Sequence, residues 1–61
     1  MGDYEISVMG METYTIRGAE SEEDAIDEAI TCFMNDDLYY GTEEADNVTE
    51  EDCEIVWFEE Y

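Results

Sequence analysis

Residues 3 to 18 read DYEISVMGMETYTIRG, and their alternation decides the fold class. Tyr4, Ile6 and Val8 are separated by Glu5 and Ser7, the two-residue period of a half-buried strand. From Glu12 to Arg17 the pattern repeats, with Tyr14 and Ile16 set against Thr13 and Thr15. The link Met9-Gly10-Met11 is short and carries a glycine, so the two strands are expected to form a hairpin. Gly18 is expected to end the second strand.

Beyond the hairpin the period changes. Ser21-Glu22-Glu23-Asp24 reads as a helix start, because the serine hydroxyl can cap a free amide and the acids favour the positive end of the helix dipole. Ala25, Ile26, Ala29, Ile30 and Phe33 then fall on one stripe at helical spacing, the face that packs on a sheet. Glu23, Asp24, Asp27 and Glu28 lie on the other face, continued by Thr31 and Asn35. From Asn35 to Asp52 the periodicity dissolves, although Thr42 could cap one extra turn. Cys53 to Phe58 reads as a last strand, with Cys53, Ile55 and Trp57 on one face and Val56 and Phe58 on the other. Since both faces are apolar, either the acidic loop before it or another chain is expected to cover the second one. The architecture implied is α+β: a β-β-α-β domain over residues 1-61 with a three-stranded antiparallel sheet in the order 2-1-3, one helix packed on one face, and a crossover to the last strand.

Sixty-one residues leave room for one small core and one domain. An apolar fraction of 44% is too rich for a chain that stays disordered. Twenty acidic residues face one basic residue, Arg17, with no Lys and no His, for a formal charge of -19. Such a chain repels nucleic acid and anionic membranes, so direct binding to either is not expected and the partners implied are basic proteins or cations. The segment Met1-Gly2-Asp3-Tyr4-Glu5 has no signal-peptide pattern and no stretch approaches a membrane span, which makes a cytoplasmic location the expectation. Cys32 and Cys53 could form one bridge, but in a reducing compartment two small buried thiols are expected instead. Monomer and homodimer both remain open.

The residues of common catalysis are missing. Without His or Lys there is no Ser-His or Cys-His pair and no lysine nucleophile. Paired carboxylates also need a cleft that so short a chain cannot easily build. A calcium loop starting at Asp36 would place Gly41 correctly at its sixth position, yet its third, fifth and twelfth positions are Leu38, Tyr40 and Asn47, which removes two oxygen ligands and the bidentate Glu. Two cysteines do not make a zinc site. No enzyme, cofactor or metal centre is expected.

The acidic bias runs through hairpin, helix, loop and tail with almost no intervening cation. Solubility alone gains little from this excess and the fold loses stability to self-repulsion. Duplex DNA carries one charge per roughly 1.7 Å, and a chain of this length should be roughly 25 to 30 Å across. Nineteen charges over that span approach the density of a short duplex, and carboxylates accept from guanidinium groups as phosphates do. In size, charge and β-β-α-β pattern the chain resembles the small acidic DNA-mimic proteins of phages and mobile elements, above all anti-CRISPR proteins and more distantly anti-restriction proteins. The resemblance implies an inhibitor in the host-cell cytoplasm that lies over the PAM or target-DNA site of a CRISPR effector subunit or a similar DNA-binding protein. The candidate contact residues are Glu23, Asp24, Asp27 and Glu28 on the helix and Asp36, Asp37, Tyr39, Tyr40, Glu43 and Glu44 in the loop. Tyr39, Tyr40 and Tyr61 are either exposed anchors or pack against the third strand. Two other classes compete: a halophilic or generic acidic domain, and an acidic partner or chaperone of a basic protein.

Overall fold

In the computed structural model, which describes Met1–Tyr61, the alternating apolar residues of the hairpin turn to one side. Strand β1 (Gly2–Val8) buries Tyr4, Ile6 and Val8 and leaves Asp3, Glu5 and Ser7 half-buried on the open face. Strand β2 (Glu12–Ala19) pairs with it antiparallel. At the turn, Met9 and Gly10 have φ of 54° and 65°, and Met11 N donates to Val8 O at 2.9 Å. Positive φ at both central residues matches the twist of the flanking strands, and glycine accepts it without strain. At the far end Gly2 faces Ala19 and Tyr4 faces Ile16, so Arg17 and Gly18 together oppose Asp3. The second strand therefore does not end at Gly18. With φ at 69°, Gly18 absorbs the extra residue as a bulge, its N–H donates to Asp3 Oδ1 at 2.9 Å, and the strand runs on to bury Ala19.

Helix α1 (Glu22–Met34) begins where Ser21 Oγ accepts from Asp24 N at 3.2 Å. Ala25, Ala29 and Phe33 are fully buried, and Ile26 and Ile30 are half-buried beside them. This stripe lays the helix across β1 and β2. Strand β3 (Cys53–Glu60) returns antiparallel beside β1, giving the sheet order β2-β1-β3. The chain is thus α+β in the β-β-α-β arrangement, with the short helix α2 (Glu43–Asp46) and a 3-10 turn (Glu50–Asp52) added before the last strand.

Those additions order residues 35 to 52 over one end of the core. Thr42 Oγ1 caps α2 by accepting from Ala45 N at 3.2 Å, and Ala45 is buried against the main cluster. Tyr39 stacks on Phe33 with centroids 4.6 Å apart, while Met9 N donates to Asp52 O at 2.7 Å. The segment stays at the turn end of the sheet and does not cover the second face of β3.

Strict alternation along β3 is corrected by its register. Ile6 faces Ile55, yet Glu5 faces Trp57, so Val56 is an extra residue in β3. One inserted residue shifts a period of two and exchanges the faces beyond it. Trp57 therefore lies on the open face opposite Glu5, and Phe58 lies on the helix side opposite Tyr4, with the two rings stacked at 6.0 Å. The cysteines also depart from expectation: both are free, but Cys32 is exposed on the outer face of α1 and Cys53 is only half-buried. The molecule measures 36 × 16 × 15 Å, longer and thinner than the globule expected.

Candidate functional site

No charged side chain is buried, so all twenty carboxylates stand on the surface. On α1, Asp24, Asp27 and Glu28 line a shallow depression with Glu20 from the corner after β2, floored by Gly18 and Ala19. Glu23 is exposed on the adjoining flank of the helix. Because Glu23 and Asp27, and Asp24 and Glu28, are each four residues apart, like charges are held one above another at fixed spacing. This is the β2 flank of the molecule.

The loop residues are not equivalent to the helix strip. Asp37, Glu43 and Glu44 are exposed, but Asp36 is half-buried with both oxygens engaged: Oδ2 accepts from Tyr14 OH at 2.8 Å and Oδ1 from Leu38 N at 2.9 Å. Partial burial, followed by the bond and charge of Asp36, pushes the Tyr14 hydroxyl well above its usual range. Asp36 therefore ties the loop to β2. Tyr39 is half-buried, stacked on Phe33 and donating to Met11 O at 3.4 Å, so it is neither a free anchor nor packed against β3. Tyr40 is 74% exposed. Tyr61 is also exposed, but its hydroxyl donates to Asp3 Oδ1 at 3.0 Å. The Gly18 N–H first, then the Tyr61 hydroxyl and the nearby charge of Arg17, hold the Asp3 carboxyl below its ordinary value. Arg17, the single cationic side chain, thus sits on the open face with Asp3, Glu5, Thr15 and Trp57.

The β3 flank has the opposite character and was not among the candidate contacts. Because α1 lies over β1 and β2, the helix side of β3 is uncovered. A groove of about 570 Å³ opens there, lined by Tyr4, Ile55, Val56, Trp57 and Phe58 with Glu22 and Glu60. Val56 is 53% exposed, Trp57 46% and Phe58 58%, three consecutive apolar residues on a strand with a free outer edge. The available sequence signal was the unbroken apolar run from Ile55 to Phe58, which is more than one buried face requires.

No three His, Cys, Asp or Glu side chains are gathered as a metal ion would need. No helix is long and apolar enough to cross a membrane. Comparison with known protein families, curated proteins and solved structures finds no match for this chain.

Proposed function

We propose that this chain is a non-enzymatic inhibitor that imitates DNA, presenting its carboxylates to the cationic groove of a nucleic-acid-binding protein such as a CRISPR effector. The supporting observation is charge per length. Nineteen net charges along 36 Å amount to about 1.9 Å per charge, close to the ~1.7 Å of duplex DNA. The helix strip of Glu23, Asp24, Asp27 and Glu28 supplies the most regular part of that array, because the helix holds these carboxylates at fixed i, i+4 spacing. A purely solubilising or halophilic role accounts for the carboxylates but leaves the exposed run Val56-Trp57-Phe58 without a purpose.

The test is displacement. Target-DNA binding by a purified CRISPR effector is measured with increasing amounts of the protein at two salt concentrations. Competition that weakens steeply as salt rises is the expected result. A ternary complex in which the effector holds DNA and this protein together would remove the reading.

A further inference from the structure

We infer that the free edge of β3 is a docking site for an extended segment of a basic partner, apolar at its centre and flanked by Lys or Arg, which adds to the sheet as a fourth strand. The inference rests on the reading of a cationic partner and assigns the surface that retains it. The Val56 bulge places Phe58 on the helix side of the sheet and Trp57 on the open side. Trp57 also reaches the groove that holds Phe58, while its other side stands with Asp3, Glu5 and Arg17 on the open face, so the two rings straddle the outer edge of the strand. A strand added along the edge has side chains on both faces and reaches both.

Charge selects the occupant. On the open face Trp57 stands between Glu54 and Glu59, and on the helix side the Phe58 groove carries Glu22 and Glu60. An incoming strand therefore meets apolar surface at its middle and carboxylates toward its ends. A second copy of this chain fits badly. Antiparallel self-pairing about Trp57, with the Val56 bulge in each copy, sets Glu54 against Glu59 on the open face at both ends, and like charges directly opposed are unfavourable. Each copy also brings a formal charge of -19. Charge brings a basic partner to the surface, and the apolar contacts at the edge slow its departure.

Trp57 is the only tryptophan, so its emission reports occupancy directly. The probes are three capped peptides: KKVTVYVKK, its proline-broken counterpart KKVTPYVKK, and the acidic EEVTVYVEE. The first should shift Trp57 emission to the blue in a saturable way. The second keeps the charge but loses a strand donor, and should bind at least about tenfold more weakly; the third should not bind. The double variant Val56→Thr, Phe58→Thr keeps every charge and should weaken the first peptide about tenfold or more, with circular dichroism checking that the fold is intact. Equal binding of the first two peptides, or an unmoved Trp57 emission, would overturn the edge site. So would dimerisation that buries Trp57 without peptide, since the edge would then belong to a second copy. Displacement of DNA by a protein that ignores the peptide would leave mimicry standing and remove the edge. Peptide binding without DNA displacement would do the reverse.

Discussion

The two flanks of the sheet differ in what covers them. Over β1 and β2 the helix supplies Ala25, Ala29 and Phe33 to a closed core and turns Asp24, Asp27 and Glu28 outward. No element is laid across β3: Ile55 packs only at the margin of the core, Phe58 stays 58% exposed beside Tyr4, and the strand edge carries Val56 and Trp57 as well. Stability and regular charge are therefore concentrated on one flank and adhesive apolar surface on the other. A thirteen-residue helix is about 10 Å wide, while strands are ~4.8 Å apart, so a single helix covers two strands well and a third poorly. A small domain with one helix and three strands must leave apolar surface bare, make that surface polar, or use it for binding.

The largest effect should come from contrasting two phenylalanines. Phe33→Ala removes a fully buried ring that stacks on Tyr39 and should cost about 3 to 5 kcal/mol, a large share of the stability of so small a domain. Phe58→Ala removes a ring that is already 58% exposed and should cost about 1 kcal/mol. Urea unfolding of both variants measures the difference. Equal losses would mean that the β3 flank belongs to the core.

A smaller effect is expected from charge. The variant E23Q/D24N/D27N/E28Q should weaken the effector complex about tenfold and flatten its salt dependence. Neutralising Asp37, Glu43, Glu44 and Asp46, which are also exposed, removes the same number of charges and should cost less. Asp36 is left intact in that variant because its loss would release Tyr14 and the loop backbone. Equal losses from the two variants would reduce the mechanism to net charge.

The smallest effect concerns pH at the end of the sheet where Asp3 holds Gly18 and Tyr61. Its carboxyl is held below the ordinary value by those two donors and by Arg17, so its contribution is present above the unfolded pKa of about 4 and is lost as pH falls toward the folded value. Asp3→Asn should make the melting temperature less sensitive to acid between neutrality and pH 3. At the other extreme, the raised Tyr14 hydroxyl contributes stability below the unfolded tyrosine pKa of about 10 and loses it as pH rises beyond that. Tyr14→Phe should flatten the alkaline slope and cost about 1 kcal/mol at neutrality through loss of its bond to Asp36. An unchanged alkaline profile would show that this bond does not couple the loop to β2.

Much of the frame was legible from neighbours in sequence. The alternation Tyr4, Ile6, Val8, the glycine at the hairpin, the Ser21 cap and the Ala25-Ala29-Phe33 stripe are patterns within four residues of one another, and the pairing order of the strands follows from short connections. The candidate contacts were less legible, because exposure depends on partners distant in the chain. Asp36 reads like Asp37 in sequence, yet it accepts from Tyr14, 22 residues away. Tyr39 reads like Tyr40, yet only Tyr39 reaches Phe33.

The sequence by itself determined the charge, the hairpin, the capped helix and the α+β class, since composition and local periodicity act through adjacent residues and single turns. Only the tertiary structure decided that α1 settles on β1 and β2, and that β3 bulges at Val56 when it pairs with β1. The bulge is a property of two strands in register, so no pattern within β3 alone could place Trp57 and Phe58 on their faces. The bare edge arises because the helix is too narrow to cover the whole sheet.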